Sequence, residues 1–390
     1  MPLRNIIAER ETELPEAEMG KLLKIAEESK DIISLGPGEP DFTPAPHIIK
    51  AAINALKTGH THYSPIEGRH ELLEALAHKV KKVNKINANP ENIVVTSGSN
   101  EAILLSLMSV VDPGEGVLIP DPAYLNYIPT VELLNGNPIS LPVIPENDWQ
   151  LIPELVKKQI KEPKRLRAIV VNTPANPTGA VYTRKTLEAV ADIAREHDLL
   201  VISDEAYENY VYGGAKHVSI ASLNGMEDYV VTLQSFSKTY GMTGFRVGYA
   251  VGPQKVIAAM RKLHLYASLT APTPFQIAAV SALKGPQEWT HVIVRDYDKR
   301  RKFLVKRINE IDGFECNDAK GAFYLFPKFS WKMKSVQLVE WFIKNAKVAL
   351  VPGSDFGRYG DGYLRFSYAT AFPKIRVALD RLEKAAKKLK

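Results

Sequence analysis

Between residues 42 and 284 the chain alternates helical patterns with short, unbroken apolar runs, at 93–96, 117–120, 168–171, 199–203, 229–233 and 247–251. Runs of four to six apolar residues without polar alternation are strands covered on both faces, and helices between them return the chain to the same sheet edge. The pattern predicts βαβ units in a mostly parallel central sheet flanked by helices, an α/β fold. Beyond Pro286 the pattern changes. Residues 289–311 read as one helix crowded with charge, followed by strands at 322–326, 348–351 and 363–367 and a terminal helix from Pro373. That is a smaller α+β domain. Before the alternation begins, residues 15–29 have helical spacing with Leu22, Leu23 and Ile25 on one side, and 32–35 is extended. The break at Lys284-Gly285-Pro286 then gives three parts. They are an N-terminal arm and helix over 1–45 that joins the small domain, a large domain over 46–284, and a small domain over 285–390.

Several function classes are excluded by composition. A single cysteine, Cys316, allows neither an intramolecular disulfide framework nor a cysteine zinc cluster, and an inert thiol fits a reducing cytoplasm. No run approaches ~18 apolar residues, and Met1-Pro2-Leu3-Arg4 lacks the apolar core of a signal peptide, so a soluble, cytoplasmic protein is expected. The net charge of +6 is spread over helical faces such as Lys79, Lys81, Lys82 and Lys85, beside acidic and apolar residues. Aromatic residues are not interleaved with these charges, so neither nucleic acid nor membrane is an expected partner. Lysines of the last helical stretch complement its dipole.

Each strand-like run of the large domain ends in polar chemistry, and in parallel sheets such ends converge on one crevice. After 229–233 comes Ser235-Phe236-Ser237-Lys238-Thr239-Tyr240-Gly241, with Arg246 eight residues beyond the lysine. An amine there can condense with an aldehyde, while Ser235, Ser237 and Arg246 supply donors for a phosphate. Ser97-Gly98-Ser99-Asn100 follows 93–96 and opens a helix over 102–110, whose free N–H groups suit an anion. Tyr124, past the 117–120 run, can stack on a planar group. Asn172-Thr173-Pro174-Ala175-Asn176-Pro177-Thr178-Gly179 is a rigid turn that can aim the Asn176 amide. Asp204 ends the 199–203 run, where a buried carboxylate calls for a cation such as a protonated pyridine nitrogen, and Tyr207 follows three residues on. In the small domain, Arg365 lies inside a strand-like run, and its fork suits a carboxylate.

Taken together, these segments resemble the class I and II aminotransferases, pyridoxal phosphate (PLP) enzymes of fold type I, in the branch of microbial aspartate and aromatic-amino-acid enzymes. The likeness runs from Ser34-Leu35-Gly36 to Arg365-Phe366-Ser367-Tyr368. The resemblance implies that Lys238 carries the cofactor as an internal aldimine and later moves the substrate's α-proton, and that Asp204 contacts the ring nitrogen. It implies that Asn176 and Tyr207 contact the ring oxygen, that Tyr124 stacks on the ring, and that Gly98, Ser99, Asn100, Ser235, Ser237 and Arg246 hold the phosphate. Arg365, Asn176 and the Gly36 backbone would hold the substrate carboxylate. Tyr63, in Thr61-His62-Tyr63-Ser64-Pro65, would reach the phosphate of a neighbouring subunit in a homodimer with shared sites. No metal is implied.

The chain departs from the family at two places. Leu72-Leu73 stands where Leu-Arg is frequent, and residues 263–275 contain no arginine. Some aspartate enzymes use an arginine in that segment for the distal carboxylate, so a broad donor range, aspartate, aromatic or other, is expected with a 2-oxo acid acceptor such as 2-oxoglutarate. The same constellation also serves C–S lyases, decarboxylases and synthases, because the bond held over the ring decides the reaction. A PLP-binding regulator would need a DNA-binding domain, and residues before Ser34 read only as a helix and an arm.

Overall fold

The computed structural model describes residues 6–8, 11–12, 14, 18–29 and 31–389. Among them, a seven-stranded sheet forms from β2 (Ile93–Thr96), β3 (Gly116–Asp121), β4 (Asn137–Pro142), β5 (Leu166–Asn172), β6 (Leu200–Asp204), β7 (Val230–Ser235) and β8 (Gly248–Val251). The order is β2-β8-β7-β6-β5-β3-β4, and β8 alone runs against its neighbours. Its register places Gly248 beside both Ser235 and Thr96, while Asn172 lies beside Asp204. Six strands therefore finish on one edge, and β8 starts there.

Alternation sorts the apolar side chains onto two faces. Leu118, Ile169, Val171 and Val201 pack with Leu187 and Val190 of helix Arg184–Glu196 on one side. Val117, Ile119, Val170, Ile202 and Val231 pack on the other with Ile103 and Leu107 of helix Ser99–Met108, which starts three residues earlier than the sequence pattern suggests. Strand β4 is absent from the sequence reading. It is a half-exposed edge strand carrying Pro138 and Pro142, and prolines fit an edge while hiding the apolar run.

The C-terminal part forms a second layer around β10 (Tyr324–Leu325), β13 (Val351–Pro352) and β14 (Leu364–Ser367), in the order β10-β14-β13. Helices Glu288–Asn309, Ser335–Ala346 and Phe372–Ala386 cover it, with the short pair β9 (Phe314–Glu315) and β11 (Lys328–Phe329) alongside. The run at 348–351 is two strands rather than one: β12 (Val348–Ala349) pairs in parallel with β1 (Ile33–Ser34), and β13 turns to β14. Leu35 is buried in the same apolar cluster, which also takes Tyr207, Tyr210 and Tyr212 from the end of β6. The N-terminal helix is described as Glu18–Glu28; residues 15–17 and the side chains of Leu22 and Leu23 lie outside the described residues, and Ile25 is exposed.

Ile202 is fully buried in the central strand, with strands on both sides. Ile202→Ala is expected to lower stability by about 2–5 kcal/mol, read from the denaturant midpoint at unchanged slope. A loss below about 1 kcal/mol would contradict this account of the core.

Candidate active site

The sheet edge where the strands finish opens on a cavity of about 240 Å3. Asp204 lies buried at the end of β6. Its Oδ2 accepts from the Tyr127 hydroxyl at 2.7 Å and its Oδ1 from the Ala206 amide at 3.1 Å. Burial lifts its carboxyl above the ordinary aspartate range, and those two bonds pull the other way. A buried carboxylate with neutral hydrogen-bond donors only is short of positive charge.

The backbone around Asp204 is braced from two sides. At the end of β5, Asn172 donates Nδ2 to the Asp204 carbonyl (3.1 Å) and accepts from the Asn176 amide (2.9 Å), locking the loop that follows to β6. The peptides before Pro174 and Pro177 are cis. Behind Asp204, the Glu205 carboxylate accepts from Ser203, Ser219 and His217 at 2.9, 2.8 and 3.0 Å. Glu208 accepts from Asn84 (2.6 Å) and Gln234 (2.9 Å) and forms an ion pair with Lys79. Glu205, Glu208 and His217 have ligand atoms within 4.8 Å of one another, but Lys79 and these donors already satisfy the carboxylates.

Lys238 sits on a one-turn helix, Phe236–Thr239, whose start is capped by Ser235 Oγ accepting from the Ser237 amide at 3.1 Å. The Lys238 Nζ donates to the Gly38 carbonyl at 2.6 Å. Burial draws the amine down to about 8; Arg365 and Arg246 push the same way, against Glu39 and Asp204. A lowered value leaves a usable fraction of the amine neutral near pH 7, and the neutral amine is the nucleophile.

The chain then turns back through Arg246, which has φ +56° and donates to the Thr243 and Ser97 carbonyls at 2.9 and 3.2 Å. Gly98 permits this approach: its φ is +91°, and an added Cβ would lie 2.5 Å from Arg246 Nη2. The guanidinium is thereby held against the start of helix Ser99–Met108. Ser99, Asn100, Ser235, Ser237 and Arg246 all line the cavity, a donor set of hydroxyls, amide and fixed cation that fits a phosphate. Tyr124 stands at the same rim, donating to Asn100 Oδ1 at 3.0 Å.

From the C-terminal layer, buried Arg365 on β14 enters the cavity. Its Nη1 donates to Asn176 Oδ1 at 3.0 Å and its Nη2 to the Gly36 carbonyl at 2.6 Å. The guanidinium carbon lies 4.5 Å from the Tyr324 ring and 4.9 Å from that of Phe356. Tyr207 and Tyr324 join hydroxyl to hydroxyl at 2.8 Å.

Of the residues expected from sequence, Tyr63 alone is not brought to this cluster: it is 79% exposed and does not line the cavity. Gly36 and Gly98 contribute through Arg365 and Arg246 rather than as lining. Sequence reasoning missed Tyr127, Asn172, Gly38, Tyr324, Met19 and Leu125. Tyr127 lies one helical turn beyond Tyr124, a spacing that could have been followed; Tyr324 sits in an apolar run with nothing polar to mark it.

A lysine of lowered basicity and a phosphate cradle at the edge of such a sheet define the PLP enzymes of fold type I. The model for "Aminotransferase class I and II" matches residues 30–382. The chain is 45% identical to the aspartate aminotransferase of Pyrococcus abyssi over 378 residues, 96% of each chain. It is 44% identical to aromatic-amino-acid aminotransferase 2 of Thermococcus litoralis over the same length and share. The solved aromatic aminotransferase of Pyrococcus horikoshii OT3 superposes with a TM-score of 0.88 at 43% identity, over 95% of this chain and 99% of that one. The chain belongs to the class I and II aminotransferase family. It is a PLP-dependent enzyme that moves an amino group between amino acids and 2-oxo acids.

The lowered Lys238 value has a direct consequence in cofactor-free protein. A lysine is nucleophilic only when neutral, so imine formation with a small aldehyde should rise with pH to half its plateau near about 8. The ordinary lysine value is about 10.4. Trapping the imine with borohydride and mapping it to Lys238 measures this; a midpoint near the ordinary value would contradict the buried setting.

Proposed function

We propose that Lys238 is the lysine that carries PLP and exchanges the α-proton of a bound amino acid. The observation that carries this is that Lys238, Asp204, Arg246 and Arg365 open on one cavity. Asp204 would face the ring nitrogen, Asn176 and Tyr207 the ring oxygen, and Tyr124 the ring face. Ser99, Asn100, Ser235, Ser237 and Arg246 would hold the phosphate, with Gly98 making room. When bound, the cofactor supplies an electron sink for the carbanion formed at the α-carbon. The Arg365 fork, with Asn176 and the Gly36 backbone, orients the substrate carboxylate and so presents the α-hydrogen to Lys238. Lys238, neutral once released, takes that proton as general base and returns it on the other side of the transfer.

The donor range follows from the walls. Apart from Asp204, Lys238, Arg246 and Arg365, the side chains lining the cavity are neutral, among them Met19, Leu125 and Tyr324, and residues 263–275 contain no arginine. The chain would accept both acidic and apolar or aromatic amino acids, with 2-oxoglutarate as acceptor. Relatives named for aspartate and for aromatic amino acids are consistent with that breadth. A half-reaction panel tests it. Aspartate, glutamate, phenylalanine, tyrosine and leucine should all change the absorbance of the lysine-linked cofactor, with apolar donors differing by roughly tenfold per methylene-sized change. Conversion by aspartate and glutamate alone would establish a dedicated dicarboxylate site instead. Lys238→Ala should abolish transfer while PLP still binds, and Asp204→Asn should fold yet lose several orders of magnitude in rate.

The division into an arm over 1–45, a large domain over 46–284 and a small domain over 285–390 belongs to the same proposal, as does a cytoplasmic homodimer. No helix among the described residues is long and apolar enough to cross a membrane. Ile53, Leu56, Tyr63 and Tyr266 are large exposed hydrophobic side chains that a second copy of the chain would shield from water. If Tyr63 serves the partner's phosphate, mixing Lys238→Ala with Tyr63→Phe subunits restores one site with both groups native in each heterodimer. Activity should exceed the sum of the two unmixed variants; no gain at any ratio would rule out a shared site.

A further inference from the structure

The Tyr207–Tyr324 hydroxyl pair joins two layers of the fold: Tyr207 follows β6 of the large sheet, and Tyr324 lies on β10 of the C-terminal layer. Both side chains are buried, and both line the cavity. At 2.8 Å either oxygen can be the donor. Arg365 weighs on them unequally, because its guanidinium lies over the Tyr324 ring at 4.5 Å and makes no such ring contact with Tyr207. A cation over a phenol stabilises its charge-separated form, making that hydroxyl the stronger acid and the better donor. Burial raises both phenols, Tyr207 well above the ordinary value, and Arg365 restrains both rises, standing directly over the ring of Tyr324.

We propose that Tyr324 is a positioning residue which, polarised by Arg365, donates to Tyr207 and so turns the Tyr207 O–H toward the cofactor's ring oxygen and strengthens it. A hydroxyl that accepts one hydrogen bond becomes a better donor in the next. The inference rests on the proposed contact between Tyr207 and the ring oxygen. It links the arginine proposed for the substrate carboxylate to the acidity of the linkage on Lys238 through three side chains in series. The titratable groups facing the pair are Arg365, Tyr124, Tyr210 and Tyr368. Gly38, whose carbonyl accepts from Lys238, packs directly on Tyr324: an added Cβ there would lie 2.8 Å from its hydroxyl oxygen.

The sign follows from charge. A strong donor at the ring oxygen stabilises that oxygen as an anion and makes the neighbouring protonated linkage more acidic. In holoenzyme, the pH midpoint of the lysine-linked cofactor's absorbance should therefore rise in Tyr324→Phe, by about half a unit. In a Tyr207→Phe background the same change should add no further shift, because the path is already broken. Replacing Tyr324 by 3-fluorotyrosine, a stronger acid of nearly the same shape, should lower the midpoint; that variant decides the matter if Tyr324→Phe does not fold. An unchanged midpoint in the fluorinated protein, or an equal shift from Tyr324→Phe in both backgrounds, overturns the proposal. Failure of the underlying lysine assignment looks different: Lys238→Ala would then keep the pH-dependent absorbance.

Discussion

Register in the large sheet governs the whole cavity. Asn172 stands beside Asp204, and Ser235 and Thr96 flank Gly248, so polar groups from strands far apart in sequence emerge on one level. A one-residue slip would turn Asp204 away from the cavity and swap the faces on which Val201 and Ile202 pack, so the two differently shaped layers on either side enforce the site's geometry. The reversal at Lys238 through Arg246 exploits the same edge. Because β8 runs back against β7, the lysine and the arginine at the two ends of that connection stay close together rather than being separated by a crossover helix.

Much of this was legible in the residues because continuous apolar runs mark doubly covered strands, and the polar ends of those runs stand out against them. Five of the six expected strands of the sheet, apart from small shifts at their ends, begin and end where the apolar runs do, and the sixth, β8, follows Arg246 as expected. What stayed hidden depended on tertiary contact. Strand β4 lacks the apolar run because it lies on the edge. Tyr127 and Tyr324 reach Asp204 and Tyr207 only because separate layers meet there; the spacing from Tyr124 hints at the first, and nothing local marks the second. The splitting of 348–351 into β12 and β13 serves two different sheets, a choice no local pattern encodes.

The polar network behind Asp204 explains why that segment can be both buried and ionisable. Glu205 and Glu208 flank Ala206 and Tyr207 in sequence, and their carboxylates are held from three other stretches of the chain, by Lys79 and Asn84, by His217 and Ser219, and by Gln234. The segment is thus fixed from behind by charge-assisted bonds and from the front by Asn172. Truncating one partner of the Lys79–Glu208 pair would leave an uncompensated buried charge, so this scaffold is far less tolerant than the exposed helix faces.

Arg365 gives one N–H of each terminal nitrogen to Asn176 and Gly36, and its buried Nε has no partner among the described residues. A carboxylate entering the fork would meet donors still open and add charge-assisted bonds to the neutral ones already made. The neutral bonds hold the guanidinium in one direction before any acid arrives, so little side-chain freedom is lost on each arrival, and an amino acid and a 2-oxo acid meet the same preset fork in either direction of flow.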